Sequence, residues 1–272
     1  MRELVLGAVA YDAKVVPIWD GFREWFAARG LPFDYVLFTN YERQVEAHLR
    51  GDIDVAWNSP LAWLEARDLA AKHRRRADAI AMRDTDRDLT SVVLVRADSA
   101  IRSIGDLRGK RVGVGAADSP QATLIPLASI AEAGVNVDAV KHDVLVGKHG
   151  DHVGGERLAV KALLAGEVDA ACLIDGNRLT FANEGLLAPN ATRVLHQTGA
   201  YDHCNMTVLD GAPVVAIERF RELLFAMDYA DPAVRPLLDM EGLKRWLPGR
   251  TSGYALLERA AASFVGGWIA SR

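Results

Sequence analysis

Cysteine is nearly absent: Cys172 and Cys204 are the only two in 272 residues. Two thiols in separate segments do not make a disulfide framework, and a chain this long does not need one. Cys172, in the run DAACLID, reads as a small buried hydrophobe. Long apolar runs are missing too. Nothing approaches the roughly 18 apolar residues of a membrane-spanning helix. Met1-Arg2-Glu3 passes straight into LVLGAVAY, without the basic region, long apolar stretch and cleavage motif of a signal peptide, and without a lipobox cysteine. These residues lead to the expectation of a cytoplasmic protein if the chain is complete, and an extracytoplasmic one if an export signal has been removed. Charge of one sign is also lacking. With 32 Lys and Arg against 36 Asp and Glu, the net charge of −4 excludes a nucleic-acid footprint. The basic run Lys72–Arg76 is offset by Asp78, Asp84, Asp86 and Asp88 and reads as a solvated helix end. No phosphate loop, Gly-x-Ser-x-Gly elbow, His-Glu-x-x-His or dinucleotide fingerprint occurs, and no cofactor or metal is assigned.

What is present is alternation. Half the residues are apolar and a quarter charged, a globular composition. Strand-like runs at Leu4–Ala10, Asp34–Thr39, Ile53–Trp57 and Ala79–Met82 alternate with amphipathic segments at Pro17–Arg29, Tyr41–Arg50 and Leu61–Lys72. The pattern repeats with strands at Val92–Arg96, Arg111–Gly115, Ala139–Leu145 and Asp169–Ile174, and helices at Ala122–Gly134 and Glu156–Gly166. A further strand, Thr207–Leu209, precedes helical segments over Pro213–Met227, Pro232–Leu247 and Gly253–Ala270. Such alternation predicts α/β sheets with parallel character.

The stretch 90–126, and in it VRADSAIRSIGDLRGKRVGVG, closely resembles the bilobed solute-binding proteins of ABC importers, in particular the phosphate, phosphite and phosphonate branch. TNYERQVEAHLRGDIDVAWNSPLAWLEA and LLAGEVDAACLID carry the same likeness through the rest of the chain. The resemblance implies a type 2 periplasmic-binding-protein fold, each lobe a mixed, mostly parallel sheet flanked by helices. Lobe one would be residues 1–91 plus 207–272 and lobe two 92–206, with hinges near 90–92 and 203–206. It implies capture of a small anionic solute in an interlobe cleft by hinge closure, with an ABC permease as possible partner. The alternative is a cytosolic decarboxylase, dehydratase or desulfinase on the same fold.

In open α/β sheets ligands sit beyond the carboxyl ends of strands. Loops there offer Tyr11, then Asn40 and Tyr41, then Asn58 and Ser59, then Ser119 and Gln121. Each is equally a helix-capping candidate. The family's Ser-Thr-Ser-Gly anion loop corresponds here to Ser119-Pro120-Gln121-Ala122, with one hydroxyl and one backbone donor fewer. The family's tyrosine near the first crossing corresponds to Leu89-Thr90-Ser91, which brings in Ser91. The loop 148–156 offers His149 and His152 as anion donors. Its His-x-x-His spacing with Glu156 is open to zinc as well, although it is none of the strong zinc signatures. Asp175 ends a strand, and His203 lies at the second crossing. For the enzyme alternative, His149, His152, His203 and Asp175 are the acid–base candidates, with Cys204 as nucleophile.

Overall fold

The computed structural model describes residues 2–11, 13–143 and 152–264. The chain forms two compact units, Met1–Arg87 with Asp202–Gly253, and Asp88–Tyr201 with Tyr254–Arg272.

The first unit is built on β1 (Leu4–Val9), α1 (Val15–Ala27), β2 (Phe33–Phe38), α2 (Tyr41–Arg50), β3 (Val55–Asn58), α3 (Pro60–Lys72) and β4 (Ala77–Arg83). The second holds β5 (Ser91–Arg96), β6 (Arg111–Val114), α4 (Ile125–Glu132), β7 (Asp138–Lys141), α5 (His152–Ala165), β8 (Ala170–Ile174), α6 (Asp175–Asn183) and β9 (Thr192–Gln197). The chain then returns β10 (Asn205–Leu209), α7 (Val214–Phe225), α8 (Arg235–Glu241) and β11 (Trp246–Pro248) to the first unit. Finally α9 (Ala255–Phe264) packs on α4 in the second. The boundaries thus fall at 87/88, 201/202 and 253/254, so the C-terminal helix leaves the unit in which the sequence reading kept it.

Both sheets are mixed. The six-stranded sheet has the order β11-β4-β10-β3-β1-β2, with β1 parallel to β2 and β3, and β10 antiparallel to β3 and β4. The five-stranded sheet has the order β7-β6-β8-β5-β9, with β6 parallel to β7 and β8, and β5 antiparallel to β8 and β9.

Side-chain alternation explains the unbroken apolar run VVLV in β5. Val92 and Leu94 face a core shared with α5 residues such as Ala159 and Leu163. Val93 and Val95 face a second core with Leu107, Val112 and Ile130. A strand covered on both faces needs apolar residues at every position. Cys172 lies in the second of these cores, where burial pushes its thiol up to about 12. It is a packing residue, as its sequence context indicates. The first unit is held by aromatic rings. Phe26 meets Phe33 at 4.7 Å and Phe220 at 5.0 Å, and Trp57 stands edge-on to Trp246 at 5.7 Å.

Gly249 shows how closely two segments approach. It donates its N–H to the Ile80 carbonyl at 3.1 Å, and a Cβ placed on it would collide with the Ala79 carbonyl. Backbone cannot swing aside as a side chain can. Gly249→Ala is therefore expected to lower stability by about 1–3 kcal/mol in urea denaturation. An unchanged midpoint would show that this approach is looser than described.

Candidate functional site

In each unit the candidate residues gather at one end of the sheet. In the first, the carboxyl ends of β1 to β4 present Tyr11, Asn40, Tyr41, Asn58, Ser59 and Arg83. Antiparallel β10 begins at that same end, with Asn205 opposite Asn58. This places His203 and Cys204 beside the turn Asp84–Asp86 that follows β4. His203 N donates to the Asp86 carbonyl at 2.8 Å, and Cys204 N to Asp86 Oδ1 at 3.3 Å.

Several of these residues have structural work. Asn40 caps α2 by accepting Arg43 N at 2.9 Å, and Ser59 caps α3 by accepting Ala62 N at 3.3 Å. Asn58 is fully buried. It accepts from Gln44 Nε2 and donates to Thr207 Oγ1, both at 2.8 Å. This chain of buried amides and hydroxyls ties α2, β3 and β10 together at the strand ends, while Gln44 Oε1 has no hydrogen-bond partner among the described residues. Tyr11 is half exposed, with Lys14 Nζ 5.7 Å from its ring. Burial, followed by the charge of neighbouring groups, holds the Tyr41 phenol well above its ordinary value.

Arg83 is the centre of this end. Its Nε and Nη2 donate to Asp86 Oδ2 and Oδ1 at 2.6 and 3.0 Å, and its Nη1 to the Glu241 carbonyl at 2.7 Å. The guanidinium stands 5.2 Å from the Trp57 ring centre. Burial pushes the Asp86 carboxyl up, but the Arg83 charge and hydrogen bonds from His203 and Arg83 outweigh it and bring it down to about 2. Glu241 goes the other way. Burial dominates and lifts it to about 7. His203 Nδ1 lies 3.1 Å from Cys204 Sγ and 3.4 Å from Asp86 Oδ1. Cys204 is buried, and desolvation reinforced by Asp86 raises its thiol well above the ordinary value. A nucleophilic cysteine needs the opposite. The sequence reading singled out His203 and Cys204 but missed Arg83, Asp86 and Glu241. No local motif marks them; the signal was a charged residue closing an apolar strand, AIAMR.

In the second unit, Ser91 pairs with Ile174 at the carboxyl end of β8, and the loop after β6 leads into a helical turn, Pro120–Leu124, that continues as α4. Ser91 is fully buried. Its hydroxyl donates to the Gln121 carbonyl at 2.5 Å and so accepts from the Tyr201 hydroxyl at 2.7 Å. Tyr201, at the second crossing, is thereby tied to Ser91 at the first. Ser119 caps its turn by accepting Ala122 N at 3.2 Å. Gln121 is 6% exposed, and its side-chain oxygen has no hydrogen-bond partner among the described residues. Asp175 opens α6, pairs with Arg178 at 2.9 Å and is partly exposed. Glu156, fully buried, accepts Ile174 N at 3.1 Å and Asn177 Nδ2 at 2.7 Å. His152 opens α5, and His149 lies outside the described residues.

A family model for the periplasmic substrate-binding protein of phosphonate ABC transporters matches residues 8–254. The chain belongs to that family. Among solved structures, PhnD1 from Prochlorococcus marinus in complex with methylphosphonate is 18% identical. It superposes with a TM-score of 0.70 over 96% of this chain and 98% of that one. A Xanthomonas citri protein bound to ATP is 18% identical, with a TM-score of 0.69 over 96% of each chain. The aliphatic sulphonate binding protein SsuA of Escherichia coli is 17% identical, with a TM-score of 0.59 over 99% of this chain and 88% of its own. These likenesses establish the type 2 binding-protein fold. An uncharacterized Haemophilus influenzae protein is 43% identical over 42 residues, which span 15% of this chain and 59% of that protein.

Membership corrects the cytoplasmic expectation. The family is periplasmic, and therefore extracytoplasmic, and the character of the first residues does not outweigh a match over residues 8–254. It also implies a small solute and a permease as partners. Among the described residues no helix is long and apolar enough to cross a membrane. The enzyme alternative gains no support, and the buried, raised Cys204 thiol speaks against its nucleophile.

Proposed function

We propose that this chain captures a small oxyanion of the phosphonate, phosphate or sulfonate class for delivery to an importer, and that Gln121 is a principal contact. The observation that supports it most is the Gln121 side chain, buried at the first turn of a helix with its terminal oxygen unpartnered. Helix starts present free N–H groups and a positive dipole end to anions. An amide serves either a P–OH group through its oxygen or an oxyanion through its NH2 after a half-turn. Tyr201 and Ser91 anchor the same turn through the Gln121 carbonyl. Hinge closure, which the resemblance implies, enters the proposal as a fall in radius of gyration on solute addition.

The test compares two variants by calorimetric titration with methylphosphonate and phosphate. Gln121→Ala is expected to weaken binding about tenfold or more, the worth of a hydrogen bond to a charged group. Ser59→Ala, at a capping position, is expected to leave affinity intact while lowering stability by about 1 kcal/mol. Unchanged affinity in Gln121→Ala would remove this residue from the site.

A further inference from the structure

The residues before β10 and the turn after β4 bring three metal-ligating side chains to one point. We propose that Asp86, His203 and Cys204 form a binding site for a zinc-class divalent transition-metal ion.

Their donor atoms all lie within 4.8 Å of one another, with nitrogen to sulfur at 3.1 Å and nitrogen to carboxylate oxygen at 3.4 Å. Zinc bound tetrahedrally at about 2.3 Å from sulfur and 2.0–2.2 Å from nitrogen and oxygen spaces its ligand atoms by roughly 3.3–3.6 Å. The nitrogen–sulfur and nitrogen–oxygen spacings lie within about half an ångström of these values, and the sulfur–oxygen spacing, within 4.8 Å, closes by about 1.2 Å at most when the ion is seated. A sulfur–nitrogen–oxygen donor set selects zinc or cobalt over calcium or magnesium, which take oxygen ligands.

The scaffold is fixed before any ion arrives. The backbone of His203 and of Cys204 is hydrogen-bonded to Asp86, and Arg83 orients the Asp86 carboxylate through two further bonds. Outer hydrogen bonds of this kind hold ligating groups in place. The neighbouring guanidinium does not exclude a cation, because the charges close. A divalent ion and Arg83 are balanced by Asp86, a Cys204 thiolate and Glu241, whose Oε1 lies 3.4 Å from Arg83 Nη1. On binding, the Cys204 S–H bond breaks, its proton leaves to solvent and a sulfur–metal bond forms. Three protein ligands leave a fourth position for water. His203, about one-fifth exposed, gives the ion a path to an otherwise buried point.

Cobalt(II) is the probe. The whole chain, stripped with a chelator and free of solute, is titrated with Co2+ and then with competing Zn2+. One ion per chain is expected, with a thiolate-to-cobalt charge-transfer band that zinc abolishes. Cys204→Ser is expected to lose the band, and His203→Gln to bind about tenfold more weakly or worse. Circular dichroism confirms that both variants fold. No binding by the folded wild type, binding without the band, or unchanged affinity in both variants would each overturn the site. None of these outcomes bears on oxyanion capture, which is measured separately.

Discussion

Asp86→Asn is expected to destabilise the protein by about 3 kcal/mol or more, within the roughly 3–5 kcal/mol seen when one partner of a buried ion pair is removed. The Asp86 side chain is 2% exposed and receives two charged hydrogen bonds from Arg83. Asparagine keeps the shape but offers one acceptor oxygen and no charge. Arg83 would then rely on Glu241, at 3.4 Å, and on the Glu241 carbonyl. Partial relief comes from Glu241 itself, because loss of the Asp86 charge removes one reason for its high value and lets it ionise more fully. The contribution of Asp86 also has a pH signature. Its folded value, about 2, lies below the ordinary 3.8, so its stabilisation is present above pH 4 and is lost as pH falls toward 2. Urea denaturation at neutral pH is the check. A loss below about 1 kcal/mol would mean that Arg83 and Asp86 are not a buried pair.

The second large effect belongs to His48, on the last turn of α2. The residue is 2% exposed and neither ring nitrogen has a hydrogen-bond partner among the described residues. It lines a cavity of about 120 Å³ with Ile53, Leu209 and Arg75. Burial is the main cause that lowers its folded value to about 4 from 6.5, with the Arg75 cation adding to it. The Asp54 backbone opposes this without making a full hydrogen bond. The unfolded chain therefore binds the proton more readily between these values. Stability is complete above pH 6.5 and is lost as pH falls toward 4, by about 3 kcal/mol in all. Glu241 acts in the opposite sense. Its raised value favours the folded state at low pH and costs stability as pH rises from 4.5 to 7. The two slopes largely cancel in the wild type, so the comparison must be with a variant. His48→Leu removes two unsatisfied buried atoms and is expected to be near neutral at pH 7. Between pH 7 and pH 4 the wild type is expected to lose about 3 kcal/mol more than the variant. Parallel pH profiles would show that His48 is not the buried neutral imidazole described.

Much of the fold was legible because burial leaves a period in the sequence. Tyr41–Arg50 ends where Gly51 takes a left-handed φ of 82°, and glycine at that place is what the sequence shows. The VVLV run of β5 announces a strand covered on both faces. Elements that bury little were missed. The helix α6 covers only Phe181 fully, and the edge strand β9, TRVLHQ, has no fully buried residue. Pro232–Leu247 reads as short helices, yet Gly242 ends α8 in a left-handed turn and Trp246–Pro248 is a strand held by β4. The strand expected over Ala139–Leu145 ends at Lys141, and Leu145 lies outside the described residues.

The site was legible at its loops and illegible at its charges. Asn40, Ser59 and Ser119 read equally as caps or contacts, and each caps a helical segment. His203 and Cys204 were visible as unusual neighbours. Their meaning depends on Arg83 and Asp86, far off in sequence and brought near by the pairing of β10 with β4, and on Glu241, which α8 brings to Arg83. No periodicity encodes such a meeting.

The most direct test of oxyanion capture is calorimetric titration of the whole chain with methylphosphonate, phosphite, phosphate and an alkanesulfonate, beside a neutral sugar and a cationic amine. At least one oxyanion is expected to bind at one site per chain. At a hundredfold excess over its dissociation constant it should add about 2.7 kcal/mol of stability, a rise of roughly 5–10 °C in Tm. Heat and stabilisation from the sugar or the amine, with none from any oxyanion, would contradict the account.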